Sequence, residues 1–189
     1  MPLLTLCSWR ETCSEDSIEH PAHTLTDPTS FRDSMNDTQA AHGGLDDTAL
    51  SQLYQEVVLD HYRSPRNKGA LAETTHRITM NNPLCGDVID LLLKVQAGRI
   101  VDVGFQGKGC SISMASASML TDRLKGRSVD EAMAMDATFT RMLHGDEAAA
   151  ADAELGDLRA LAGVSKFPVR VKCALLAWNC LEELVGPDA

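Results

Sequence analysis

Four side chains in this sequence have the types that a borderline metal ion takes: Cys85, Asp87, Cys110 and Cys173. Cys85 stands in Asn82-Pro83-Leu84-Cys85-Gly86-Asp87, whose Pro and Gly predict a turn between two strands. Asp87 follows two residues later, so one tight turn can present both side chains to the same point. Cys110 comes after Gly107-Lys108-Gly109, where strand character gives way to helix. Cys173 falls in the first turns of a predicted final helix. A helix N-terminus offers unpaired N–H groups and a partial positive charge, and both stabilise a thiolate. Three thiolates and one carboxylate make a four-coordinate set suited to Zn²⁺, and iron is chemically possible with the same ligands. The spacing by itself carries little, since there is no CxxC pair and the gaps are 25 and 63 residues. The alternative reading of the same residues is three buried cysteines, a type common in cores.

The elements that must position these residues follow from periodicity. A helix is predicted from Asp46 or Asp47, either of which can cap it, with Leu50, Leu53, Tyr54, Val57 and Val58 at helical spacing. It ends before Pro65. Three strand-like runs come next, at 76–80, 88–95 and 99–105, and Ala97-Gly98 joins the last two as a hairpin. Helices are predicted from Ser111 to Leu124, with Gly126 as its C-terminal cap, and from a Ser128/Glu131 capping box to about Leu143. Residues 145–153 read as loop or weak helix, 155–162 as a short helix, and Pro168 opens the last helix to about Leu184. Helix, three strands, then helices predicts an α+β fold with a small antiparallel sheet packed against helices.

Composition sets the frame. The 189 residues are 44% hydrophobic and 23% charged, the mix of a globular chain, with only 4% aromatic residues, so the core must be aliphatic. The longest apolar run is six residues, 173–178, too short for a membrane helix. The net charge of −10 argues against a nucleic-acid partner. Most of that charge is local: residues 1–47 hold nine acids against Arg10 and Arg32. Residues 1–46, rich in Ser, Thr, Asp and Pro without apolar period, read as a disordered acidic tail, and 47–189 as the functional domain. Met35, inside that tail, is a candidate alternative start. The chain opens without a signal-peptide pattern, so a cytoplasmic location with reduced thiols is expected. Cys7 and Cys13 fall in the tail and are assigned no role. Cys180 reads as a core residue, and His61 as capping or packing.

The words around the cysteines resemble a known family. Leu53-Tyr54-x-x-Val57-Val58-x-Asp60-His61-Tyr62-x-x-Pro65-Arg66-Asn67-x-Gly69 is similar to the opening of the IscU/NifU N-terminal family. Asn82-Pro83-x-Cys85-Gly86-Asp87, Gly107-x-Gly109-Cys110-x-Ile112-Ser113-x-Ala115-Ser116 and Phe167-Pro168-x-Arg170-x-Lys172-Cys173-Ala174-x-Leu176-x-Trp178 follow in the family order. The resemblance spans roughly residues 48–186 and is closer to the SufU branch than to the IscU branch. Lys172 stands where IscU-type chains carry His before the third Cys. Phe167-Pro168-Val169-Arg170 is not their Leu-Pro-Pro-Val-Lys motif, and the stretch from about 139 to 160 matches an insertion of the SufU branch.

The resemblance implies a SufE/NifU-like fold and zinc held by Cys85, Asp87, Cys110 and Cys173. It implies a SUF-type iron–sulfur assembly role: a sulfurtransferase in which Cys85 is the catalytic acceptor of persulfide sulfur from a pyridoxal-phosphate cysteine desulfurase of the SufS type. A downstream SUF scaffold would receive the sulfur. In the family picture a desulfurase His replaces Cys85 on the metal and frees its thiolate to attack. Arg170 matches a family arginine that contacts the desulfurase. Two alternatives use the same residues: a scaffold assembling a [2Fe–2S] cluster, with iron as the metal, and a zinc-stabilised adaptor that docks the desulfurase without carrying sulfur.

Overall fold

The computed structural model describes residues 47–187, so the predicted tail, its cysteines and the cap at Asp46 lie outside the described residues. Three strands, β1 (His76–Asn82), β2 (Asp87–Gln96) and β3 (Arg99–Lys108), form one antiparallel sheet in the order β1-β2-β3. Strand β2 lies between the other two and is buried on both sides. Ile89, Leu91 and Leu93 face one way and are fully buried, while Leu92 on the other face is nearly so. This explains why the run reads as continuous rather than alternating. The hairpin at Ala97-Gly98 has φ of 49° and 72°, the left-handed pair that matches the twist of the flanking strands. Strand β3 runs three residues further than predicted, because Gln106, Gly107 and Lys108 continue the ladder with Asp90, Ile89 and Val88. Residues 67–69 extend the sheet beside β3, with the Gly69 N–H donating to the Phe105 carbonyl (2.9 Å) and the Phe105 N–H to that of Asn67 (3.1 Å).

Helix α1 (Asp47–Arg63) ends where Pro65 requires. Among its described side chains the apolar spacing does not produce a deeply buried face: Val57 and Val58 are half-buried, Leu53 and Tyr54 are exposed, and His61 is buried. Helix α2 (Ser111–Leu124) is the central helix, buried from Ser113 to Thr121. Its small residues let neighbours approach closely. Ser116 Oγ donates to the Ala174 carbonyl (2.6 Å) and accepts from the Trp178 indole (3.2 Å), which ties α2 to α5 (Pro168–Val185). Ser118 Oγ lies 2.8 Å from His61 Nδ1 and accepts from the Arg66 N–H (2.8 Å), which ties α2 to the end of α1. The packing role expected of His61 is the one observed.

Helix α3 (Val129–Leu143) carries the Ser128/Glu131 capping box in both directions. Its Phe139 stacks on Trp178 at 4.6 Å, a contact worth about 0.5–1.5 kcal/mol beyond area burial. Helix α4 (Glu147–Ala151) occupies the stretch read as loop or weak helix, capped by Asp146. The predicted short helix at 155–162 is instead a longer 3₁₀ segment, Ala153–Lys166, broken at Gly156 (φ 53°, ψ −125°). That backbone is outside the helical region, and the Arg123 guanidinium, bonded to the Glu154 carbonyl, lies against it. Cys180 is fully buried, and burial pushes its thiol up to about 12, in keeping with a core residue. No helix among the described residues is long and apolar enough to cross a membrane.

Candidate metal centre

The predicted ligands arrive from three places in the fold. Cys85 and Asp87 come from the β1–β2 turn, Cys110 from the junction of β3 and α2, and Cys173 from the second turn of α5. The turn is held by Asn82: its carbonyl accepts from the Gly86 N–H (2.8 Å) and the Cys85 N–H (3.3 Å), and Gly86 takes φ 71°. Pro168 at the start of α5 pre-sets its first turn and leaves no N–H to satisfy.

Two glycines bring the second place against the first. At Gly107 (φ 139°) a Cβ would stand 2.0 Å from the Val88 carbonyl oxygen, so only Gly allows β3 to close on the start of β2. At Gly109 a Cβ would meet the Asp87 carboxyl at 3.0–3.2 Å. Their absence of side chains lets the Cys110 N–H donate to Asp87 Oδ1 at 3.0 Å.

Ligand atoms of Cys85, Asp87 and Cys173 all lie within 4.8 Å of one another. The sulfurs of Cys85 and Cys173 are 2.9 Å apart. Asp87 and Cys173 are buried, while Cys85 and the neighbouring Cys110 are exposed, so the site is closed on one side and open at Cys85 and Cys110. Asp87 Oδ2 is buried with no hydrogen-bond partner. A buried carboxylate oxygen without a donor is costly, and a cation beside two thiols is the partner its surroundings fit.

Cys110 is adjacent but outside that tight group. Its sulfur accepts from the Ser113 N–H at 3.5 Å and so caps α2. Partial desolvation of its sulfur, with the Asp87 carboxyl adding to it, raises the Cys110 thiol above its ordinary value, although the residue as a whole is exposed. Burial also raises the Cys173 thiol, strongly, and the neighbouring Cys85 and Cys110 add to the effect. Asn82 is the residue that sequence reasoning quoted but gave no role. Buried at the end of β1, it donates from Nδ2 to both Cys85 and Cys173, at 3.6 Å each. Its Asn-Pro turn signal was visible, but Cys173 is 91 residues away, and nothing local marks that contact.

Arg170 is exposed one turn before Cys173, with its guanidinium 5.3 Å from the centre of the Phe167 ring. Both help line an open groove of about 740 Å³ with Tyr54, Val58, Leu59 and Ile112. Leu84, Phe167 and Val169, all exposed, belong to the segments that carry Cys85 and Cys173. His76 bonds Thr75 and joins none of the ligands named above.

The family model described as the NifU-like N-terminal domain matches residues 53–174. The chain is 48% identical over 139 residues to the zinc-dependent sulfurtransferase SufU of Bacillus subtilis (strain 168), covering 74% of this chain and 93% of that protein. It is 46% identical over 140 residues to the iron–sulfur cluster assembly scaffold protein IscU of Streptococcus pyogenes serotype M1, covering 74% and 87%. The fold is similar to the crystal structure of a candidate iron–sulfur cluster assembly scaffold protein for the SUF system (FiSufU) from Fervidobacterium islandicum AW-1. There the TM-score is 0.65 at 30% identity, covering 71% of this chain and 97% of that one. With the four motifs in order, the three-stranded sheet and the family match over most of its described length, the chain belongs to the NifU-like N-terminal family, as a SufU-type member.

Proposed function

We propose that this protein is a zinc-dependent sulfur carrier of iron–sulfur cluster assembly, with Cys85 as the acceptor thiol. The observation that carries this reading is the asymmetry of the ligand cluster: Asp87 and Cys173 are buried, Cys85 and Cys110 are exposed, and the Cys85 sulfur stands 2.9 Å from that of buried Cys173. A closed structural site would bury all its ligands, whereas this one leaves its nucleophile at the surface. Cys85, Asp87, Cys110 and Cys173 are the proposed zinc ligands; bound zinc would keep their thiols deprotonated at neutral pH. Asp87, fixed from one side by the Cys110 N–H, offers its free oxygen and anchors the set when Cys85 is withdrawn.

The donor is a cysteine desulfurase that carries a persulfide. The Cys85 thiolate attacks the outer sulfur, a new S–S bond forms on Cys85, and the S–S bond to the desulfurase cysteine breaks to return its thiolate. No external oxidant or reductant is consumed. The exposed rim of Leu84, Phe167 and Val169, with Arg170 among them, is the surface on which we place the desulfurase, a SufS-type enzyme. The likeness to the Bacillus subtilis sulfurtransferase supports this reading, together with a cytoplasmic location and a downstream SUF scaffold as receiver.

The test is mass spectrometry of Cys85 after incubation with desulfurase and cysteine. A gain of one sulfur on Cys85, absent in Cys85→Ser, is the expected result. A Cys85→Ser variant that stimulates the desulfurase as well as the parent does would instead favour a docking adaptor. The likeness to the Streptococcus pyogenes scaffold favours a second reading, assembly of a [2Fe–2S] cluster on the same cysteines. Aerobic purification separates the two. Colourless protein with stoichiometric zinc supports the carrier, and brown protein with visible absorbance supports the scaffold.

A further inference from the structure

Asn82 occupies an unusual position between the two halves of this site. It is the last residue of β1, pairs across the sheet with Asp87, and is 5% exposed. Its side-chain oxygen accepts from the Leu84 N–H at 3.1 Å. That bond fixes which way the amide points: the oxygen must face the turn, so the NH₂ must face the sulfurs. The NH₂ group then has two acceptors, Cys85 and Cys173, at 3.6 Å each. The two thiols also hydrogen-bond each other at 2.9 Å, and the amide carries no charge of its own.

We infer that Asn82 is a positioning residue that holds the sulfurs of Cys85 and Cys173 as a pair, with its amide NH₂ directed at both. The inference rests on the carrier reading only in taking these two cysteines as ligands. Two thiolates this close repel, and each hydrogen bond draws off part of their negative charge. Because the amide is anchored to the turn that carries Cys85, it keeps hold of that sulfur while the exposed thiol is presented to a partner. The buried Cys173 stays aligned to take its place beside it again. Groups that orient ligands from behind in this way typically change metal affinity by about 10–100-fold when removed.

Two substitutions separate this role from simple turn formation. Asn82→Asp keeps an oxygen for the Leu84 N–H and replaces both thiol-directed hydrogens with a second oxygen. Asn82→Ser keeps a hydroxyl acceptor at the turn but is too short to reach either sulfur. If Asn82 only shapes the turn, both variants should behave as the parent does. Under the inference, both lose zinc to a competing chelator about 10-fold or more readily, Asp more so than Ser. Both also shift the thiolate-to-metal charge-transfer band of the cobalt-loaded protein. Wild-type affinity together with an unmoved cobalt band in both variants would overturn the role of Asn82 alone. Absence of any thiolate band in the cobalt-loaded parent would overturn the ligand reading beneath it. None of these readouts uses the desulfurase, so a failure of sulfur transfer leaves them standing.

Discussion

Asp87 is the residue at which the demands of the centre meet. One oxygen is engaged by the Cys110 backbone and the other is buried with no donor. In the metal-free state that second oxygen is a desolvated acceptor, so its removal should cost the apoprotein little. Removing it from the loaded protein should cost a ligand. Asp87→Ala is therefore expected to weaken zinc binding by at least about tenfold while leaving the apoprotein's melting temperature within a few degrees of the parent. Chelator competition and a thermal scan of the apoprotein check the two halves. A variant that retains full zinc affinity and full sulfur acceptance would remove Asp87 from the ligand set.

At the scale of elements, the site depends on how three segments end. Strand β3 must close on β2 at Gly107, where a Cβ would collide with the Val88 carbonyl. Backbone rather than a flexible side chain stands in the way, so the collision cannot be relieved by a rotamer change. Gly107→Ala is expected to destabilise the fold by about 3 kcal/mol or more and to move Cys110 away from Asp87. Urea denaturation checks the first expectation and metal stoichiometry the second. Gly109→Ala, whose Cβ meets a side-chain carboxyl instead, is expected to be milder in stability and selective for metal binding.

The legibility of these elements in the sequence follows the range of the interactions. Helix α2, the Ser128/Glu131 box and the Ala97-Gly98 hairpin are set by neighbours a few residues apart, and the local pattern located them. The cysteines were found by their motifs, and the fold does bring Cys85, Asp87 and Cys173 together. What local pattern could not supply is set by distant partners. Asn82 reaches Cys173 across the fold, and the Cys110 sulfur caps its own helix. The 3₁₀ segment looked helical because Leu155, Leu158 and Leu161 recur every three residues, a period that suits 3₁₀ and α alike. The break at Gly156, beside Arg123, decides between them.

For the whole molecule, two buried titratable groups pull stability in opposite directions with pH. Burial, and then the nearby Arg66 charge, lowers His61 below its ordinary 6.5, against the opposing pull of Asp157 and Asp60. The folded state therefore takes up its proton less readily than the unfolded chain. His61 contributes stability above about pH 6.5 that is lost as pH falls. Asp136 on α3 is the reverse case. Burial, and then the charge of Glu182, pushes its carboxyl up to about 6, against a hydrogen bond with Thr140. Its neutral form suits the fold, so its contribution is fully present below about pH 4 and is lost as pH rises through about 6. Asp136→Asn is expected to raise the melting temperature at about pH 7–8. The gain, about 1–3 kcal/mol, should shrink to nothing below about pH 4. Melting curves of the two proteins across this range check the sign, and a gain that grew on acidification would refute it.

The stacking of Trp178 on Phe139 also makes the protein its own optical probe. The indole is fully buried, and through Ser116 it is tied to the Ala174 carbonyl, the residue next to Cys173. Any shift of the second turn of α5 that accompanies metal exchange or partner docking alters the field and quenching around that ring. The sequence holds one other tryptophan, Trp9. A Trp9→Phe chain would report through emission from Trp178 alone, so loading and release at the cysteine centre could be followed in real time without a label.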